Sequence, residues 1–528
     1  MLEAASPKNK WGWIFLIVLA AIVLRSPAYF NPIIDEDEAW YATVARVINN
    51  GGLLYQDAVD LKPPLIFYFY AFSFAAFGDD LRTLHGVTVF WVLGTALIIA
   101  RITSRLTQQA EAPYLSALLY VLFTPTFVPQ ALATNGEILM NLPLALSVFL
   151  FLESEPPLSS SLVSFSQTGS LRYAFLSGIF CGLAFLFKYQ SGVLLGVLLA
   201  YLLVIKSWHS RRWPPKAEFV QCLLLIGGFA GVLVALFMVF YYLGNWKGFY
   251  FWGWQYNFVF ISDFTWAYFF KRFFDFTPRF VAVWFILWIF GFAVVKRALR
   301  NPREISGGQH LVILWLAGSA LAVCIGGKFF GHYYIQLLPP LTILAAVSLT
   351  VWWRANGNVK YAKWRRAAVR VGIFLPPIIY LATNWQEEQK RMEGENRYFQ
   401  NLAAEVRKLS EEGEKIFVWG RMPELYYFSQ RLPASRFITS NFVVGMNTYN
   451  YKDRTARYDH AMGSRMSDWL LNDLAANRPQ LIIDTSPQNF RQYGKYSLAG
   501  MALLQDFLQK NYRLAKTIDR LAIYKAKF

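Results

Sequence analysis

WGWIFLIVLAAIVLRSPAYF (11–30) runs without a break into NPIIDEDEAWYATVARVINN (31–50). The first part has the length of a membrane span, which takes about 20 mostly apolar residues. It follows Lys8 and Lys10 much as a signal peptide would, yet no small-residue cleavage site precedes Arg25, so an uncleaved first span is expected. The second part opens on four consecutive carboxylates, Asp35, Glu36, Asp37 and Glu38, and then becomes a helical pattern.

Outward from this junction, apolar runs recur at 82–100, 113–132, 137–152, 173–188, 190–205, 219–243, 278–295, 310–326, 332–353 and 367–384. About eleven spans are expected, with room for up to thirteen. Of the 528 residues, 55% are hydrophobic and only 16% charged. A soluble domain carries about 25% charged residues, and the deficit falls on the stretch before 385. The expected fold is therefore an all-α polytopic membrane domain over 1–384, followed by a soluble α/β domain over 385–528. In the latter, strand-like runs at Lys415–Trp419, Gln480–Asp484 and Leu521–Tyr524 alternate with helical patterns near 395–412, 466–476 and 499–510. It contains no Gly-rich phosphate loop, HExxH or GxSxG.

The segment 64–77 (PLIFYFYAFSFAAF) is too short to cross and reads as a surface helix. With the N-terminus cytoplasmic, the cytoplasmic loops then hold Arg101 and Arg105; Lys206, Arg211, Arg212 and Lys216; Lys296, Arg297, Arg300 and Arg303; and Arg354, Lys360, Lys363, Arg365 and Arg366. That distribution satisfies the positive-inside rule. It places 31–63, 131–137, the aromatic-rich 244–277, 326–332 and 385–528 on the outer face. The net charge of +18 is spread over these loops, so nucleic-acid binding is not the reading. The cysteines, Cys181, Cys222 and Cys324, lie inside apolar runs and form no disulfide framework or metal pattern.

A block of acids after a span is often a solvated loop. Here it faces the N-terminus of a helix, where negative charge is favoured. A second loop, VDLKPPL, brings Asp60 and Lys62, and Glu137 opens the fourth span at the same face. Carboxylates gathered in this way hold a divalent cation or act as a base. Asp35-Glu36-Asp37 formally matches the DxD pattern of nucleotide-sugar enzymes, but those donors are cytoplasmic and the loop is outside. A sugar donor available there would be attached to a lipid. Lys188, Lys328 and His332 fall at the same face, where each is either a phosphate ligand or a side chain snorkelling to the interface.

DEAWYATVAR (37–46), GGLLYQD (51–57), KPPLIFYFYAFSFAAFG (62–78), GLAFLFKYQSG (182–192) and GKFFGHYYIQLLPPLTILAA (327–346) come in an order that resembles the C-type (GT-C) glycosyltransferases. The resemblance is strongest to the bacterial branch related to protein O-mannosyltransferases and the lipid A aminoarabinose transferase. VWGRMPELYYFSQRLPASRF (418–437) is similar to the outer domain of the same proteins. The resemblance implies a multi-pass protein of the bacterial inner membrane with a periplasmic active site. It implies transfer of a sugar, hexosyl or pentosyl, from a polyprenyl monophosphate to an acceptor hydroxyl on a protein, lipid or glycan. Asp37 matches the general-base or acceptor-orienting carboxylate, with Glu38 beside it and Tyr41 completing the motif. Lys62 matches the basic residue near the donor phosphate. Leu61 stands where the aminoarabinose transferase has a carboxylate, so that Asp60 or Glu137 takes its place as the expected partner of Asp37 in holding a divalent cation (Mg or Mn). The expected phosphate ligands are Lys62, Lys188 and Lys328, with the lipid entering beside the aromatic outer loop. Two other classes stay open: a lipid-linked sugar transporter or flippase, and a non-catalytic cell-envelope assembly protein.

Overall fold

A computed structural model describes residues 9–155, 167–210, 216–261, 264–355, 362–446 and 460–527. Lys8, Arg211, Arg212 and Lys360 from the basic segments lie outside the described residues. The chain forms two compact units, one of 1–30, 85–239 and 269–387, the other of 31–84, 240–268 and 388–528.

The first unit is helical. Among the described residues, eight helices of the chain are long and apolar enough to cross a membrane, and a ninth arises if the bent pair Trp266–Val283 and Phe285–Arg300 is one span. The predicted runs 113–132 and 173–188 correspond to shorter apolar helices, Ala112–Phe123 and Leu171–Phe187. The predicted span 278–295 contains a bend of 88°. It falls at Trp284, which is fully buried and donates its indole N–H to Thr126 Oγ1 at 2.8 Å. Close helix approach relies on missing side chains. A Cβ on Gly178 would meet the Leu225 carbonyl, and one on Gly228 the Phe175 carbonyl, so the helices Gln167–Phe187 and Lys216–Tyr242 touch backbone to backbone. Buried hydroxyls bridge other helices, with Thr103 donating to Ser116 at 2.8 Å and Ser147 to the Ser177 carbonyl at 2.9 Å. Such pairs satisfy polar groups where water is absent.

The second unit is built around a four-stranded sheet of order β1-β2-β4-β3, with β1 Ile416–Trp419, β2 Leu481–Asp484, β3 Tyr512–Ile518 and β4 Leu521–Ala526. β1 and β2 are parallel, and every residue of both is buried, which explains their uninterrupted apolar runs. β3 and β4 form an antiparallel hairpin whose turn residues, Asp519 and Arg520, both have positive φ, 46° and 69°. That is the handedness a two-residue hairpin turn requires. Helix Glu395–Leu409 covers the unit with Phe399, Leu402, Ala403 and Val406, a spacing that makes one apolar face. The same unit contains the acidic helix Glu36–Asn49 and the short helix Leu65–Phe77, packed through Tyr41 against Phe67 and Tyr70 at ring-centroid distances of 5.6 and 5.4 Å. The aromatic stretch expected as a loop is largely helical, over Trp246–Gly248, Phe249–Gln255, Tyr256–Ile261 and Trp266–Val283.

Candidate active site

In the second unit, Asp35 starts the acidic helix. Its backbone is extended (φ −132°, ψ 143°), and its side chain accepts the Asp37 N–H at 3.1 Å. Glu38 reaches back to accept the Asp35 N–H at 3.4 Å, completing a capping box, and the Ile34 N–H at 3.0 Å. Glu38 is fully buried in this arrangement. The cap leaves Asp37 half-exposed on the first turn, and Tyr41, one turn later, donates its hydroxyl to Asp37 Oδ2 at 3.2 Å.

Lys62 arrives from the next loop. Asp60 Oδ1 accepts the Lys62 N–H at 3.0 Å, the Tyr55 hydroxyl donates to the Lys62 carbonyl at 2.6 Å, and Asn257 donates to the Leu61 carbonyl at 3.0 Å. The turn so fixed sets Lys62 Nζ 3.2 Å from Asp37 Oδ2, 3.9 Å from Asp60 Oδ2 and 4.7 Å from the centre of the Tyr41 ring. Lys62 therefore stands between two carboxylates and over an aromatic face, which also attracts a cation. Burial pushes Asp60 above the ordinary carboxylate range. Burial pulls Lys62 down, but the charges of Asp37 and Asp60 outweigh it and hold the ammonium above its usual value. Asp35 is pushed up to about 7 by burial and then by the Asp37 charge. Tyr41 is raised well above its ordinary range for the same two reasons, so its hydroxyl keeps its proton and stays a donor.

Three further side chains of this unit reach the acidic turn, none of them among the candidates read from the sequence. Arg421 pairs with Glu36 Oε1, Arg491 Nη1 lies 2.8 Å from Glu36 Oε2, and Arg391 donates to the Ile34 carbonyl.

The first unit holds the other candidates. Asn135 caps the helix Gly136–Ser154 by accepting the Ile138 N–H at 3.3 Å, which sets Glu137 in its first turn, buried. Lys188 Nζ pairs with Glu137 Oε1 and lies 3.6 Å from the Tyr333 ring centre, and His332 Nε2 is 3.7 Å from the same Glu137 oxygen. The Lys328 carbonyl accepts from Arg272 Nε at 3.0 Å, while Phe329 packs on Phe269 and Phe273. The expected residues thus fall into two clusters, Asp37, Glu38, Tyr41 and Lys62 in the second unit and Glu137, Lys188 and His332 in the first, which also contains Lys328. Asp37 is ion-paired to Lys62 and Glu137 to Lys188. Among the described residues, no three His, Cys, Asp or Glu side chains come together to hold a metal ion. The donor sets at Asp37 and Glu137 include an ammonium group, a poor match to the all-oxygen shell of a hard divalent cation.

Residues 61–239 match the family described as dolichyl-phosphate-mannose-protein mannosyltransferase. No curated protein matches the chain in sequence. Among solved structures, ArnT from Cupriavidus metallidurans bound to undecaprenyl phosphate is similar, with a TM-score of 0.61 and 15% identity over 98% of each chain. The apo oligosaccharyltransferase of Archaeoglobus fulgidus aligns with a TM-score of 0.55 and 12% identity, covering 98% of this chain and 75% of that one. AglB from the same organism, in complex with an inhibitory peptide and a dolichol-phosphate, gives 0.53 and 10% over the same shares. With many apolar helices and a small C-terminal sheet, this chain has the fold of ArnT and of the archaeal oligosaccharyltransferase, and its residues 61–239 are similar to the mannosyltransferase family.

Proposed function

We propose that this protein transfers a sugar from a polyprenyl-phosphate donor to an acceptor hydroxyl of a protein, lipid or glycan at the outer face of a bacterial inner membrane. The observation that carries this reading is Asp37, presented on a capped helix turn and held by Tyr41 and Lys62. Two of the similar structures hold a polyprenyl or dolichyl phosphate, which supports a lipid-linked donor here.

In this mechanism the acceptor hydroxyl gives its proton to the Asp37 carboxylate while its oxygen attacks the anomeric carbon. The bond from that carbon to the phosphate oxygen breaks, and the phosphate leaves with the electron pair, inverting the centre. Tyr41 orients the carboxylate through its hydroxyl. Lys62 offers positive charge to the negative charge developing on the phosphate, and stabilisation of developing charge is the larger part of such catalysis. Glu38 fixes where the helix starts, and so where Asp37 points. Lys188, Lys328 and His332 are the phosphate-binding candidates of the first unit.

Sidedness follows from the charge distribution, with a cytoplasmic N-terminus and the acidic helix and the sheet outside. The test is mass spectrometry of surface glycans and lipids in a deletion strain, its parent and the strain carrying the gene again. A sugar modification lost and then restored is the expected result. A cysteine introduced at Tyr29 should react with a membrane-impermeant maleimide added outside the spheroplast. Labelling only after lysis would overturn the sidedness, and with it the lipid-linked donor.

A further inference from the structure

The arginines on Glu36 have no part in the mechanism above. Arg491 pairs with Glu36 Oε2 at 2.8 Å, with Glu424 Oε1 at 2.7 Å, and donates to the Arg421 carbonyl at 3.0 Å. Arg421 itself pairs with the other Glu36 oxygen. Glu36 is thus gripped at both oxygens, one residue before Asp37. Charge-assisted contacts of this kind fix geometry as well as supplying energy.

The backbone behind each arginine is built for its place. Arg421 follows Gly420, whose φ is 135° and where a Cβ would collide with Thr485 Oγ1. Gly420 N–H donates to Ser440 Oγ at 3.1 Å, and Thr485 N–H to the Trp419 carbonyl at 3.0 Å, so the exit from β1 is pinned on both sides. Arg491 has a φ of 49°, between Asn489 at 55° and Gln492 at 67°. Non-glycine residues persist in this region only where surrounding contacts over-determine them, and such strain gathers at functional sites. The contacts of Arg491 supply that restraint.

The acidic turn has its own need for them. Asp35, Asp37, Glu38 and Asp60 lie in the same unit as Glu36, and an uncompensated Glu36 would repel the Asp37 carboxylate beside it.

We infer that Arg421 and Arg491 are positioning residues for the transfer reaction, acting through Glu36 to hold the acidic helix turn, and so Asp37, in its reactive place. The C-terminal region is then a working part of the transferring unit. This inference rests on the function proposed above.

The experiment uses the full-length protein in membranes of the deletion strain, following the product identified by its mass. Glu36→Gln, Arg421→Lys and Arg491→Lys are each expected to lower the initial rate by about tenfold to a hundredfold, the scale of a displacement of about 1 Å. Affinity for undecaprenyl phosphate, the probe, should stay within about twofold of wild type, and the triple variant should lose no more than its worst single member, as members of one network do. Glu36→Gln changes charge without size and serves where an arginine variant fails to fold. Rates near wild type, losses that multiply, or undecaprenyl phosphate affinity falling in step with rate would each overturn the inference. Asp37→Asn separates the two failures: if it retains full rate, the proposed transfer reading falls, whereas a dead Asp37→Asn beside fully active arginine variants removes the positioning role alone.

Discussion

Replacing Lys62 with methionine removes the ammonium and keeps most of the stem. Its Nζ stands 3.2 Å from Asp37 Oδ2 and 3.9 Å from Asp60 Oδ2. At an effective dielectric of about 20 these separations correspond to roughly 5 and 4 kcal/mol before desolvation. The Asp37 side chain is 35% exposed, so solvent screens that arm to no more than about 1 kcal/mol. Asp60 is different: its side chain is 4% exposed and its Oδ2 makes no hydrogen bond among the described residues. Removing one partner of a buried pair costs about 3–5 kcal/mol. Asp60 can limit the loss by taking up a proton, which from an ordinary carboxylate pKa of about 3.9 costs roughly 4 kcal/mol at pH 7, and less here because burial has already raised it. Lys62→Met is therefore expected to destabilise the fold by about 2–3 kcal/mol at pH 7.

The pH dependence has a definite sign. The folded pKa of Asp60 lies above its unfolded value, so its ionised form opposes folding. That opposition is absent below the unfolded pKa and complete above the folded one. Lys62, held above its usual value, stays charged throughout pH 5–8 and adds no slope there. The deficit of Lys62→Met should shrink as pH falls from 8 to 5, and Asp60→Asn on the Lys62→Met background should recover most of it. Thermal unfolding in detergent micelles, followed by tryptophan fluorescence, reads both effects. Unfolding of Lys62→Met at the wild-type temperature at pH 8, or no recovery from Asp60→Asn, would show that the Lys62 ammonium does not offset the buried Asp60 charge.

Asp35, pushed up to about 7, opposes folding once ionised, so wild type should lose thermal stability relative to Asp35→Asn as pH rises from 5 to 8, since Asn is an equally good cap. Parallel melting curves of the two proteins across that range would contradict this. Gly420→Ala should lower stability by about 1–3 kcal/mol through its positive φ, with the Thr485 collision added, and an unchanged melting temperature would show the β1 exit to be relaxed. Lys188→Ala and Lys328→Ala should each weaken undecaprenyl phosphate binding about tenfold, the scale of one charge-assisted contact, and unchanged affinity by microscale thermophoresis would remove them as phosphate ligands.

Much of the fold was legible because lipid and water impose simple patterns. Each expected apolar run is represented by helix, and β1, β2 and β4 stand where apolar runs predicted strands. What stayed hidden has local causes. β3, YRLAKTI, is almost wholly exposed at the sheet edge, so no apolar alternation marks it, and its evidence is its pairing with β4. The bend at Trp284, whose indole meets Thr126 far away in sequence, leaves no mark in the apolar run itself. At the site, the acids at a helix start and the following loop with Asp60 and Lys62 were readable from the residues, while Tyr41 and the roles of Asp37 and Lys62 came from the resemblance. The pairing of Lys188 with Glu137 was not, because each side chain alone reads as an interfacial charge. Nor were Arg421 and Arg491, since Asn489, Arg491 and Gln492 do not advertise a left-handed backbone.

The claim on which the rest depends is that the Asp37 carboxylate takes the proton of the acceptor. Its most direct measurement is the initial rate of product formation by Asp37→Asn in membranes of the deletion strain, beside its melting temperature and undecaprenyl phosphate affinity. A rate reduced by about 10²–10⁴-fold, the worth of a positioned general base, with stability and affinity retained, is the predicted result. A folded Asp37→Asn protein working at the wild-type rate would contradict it.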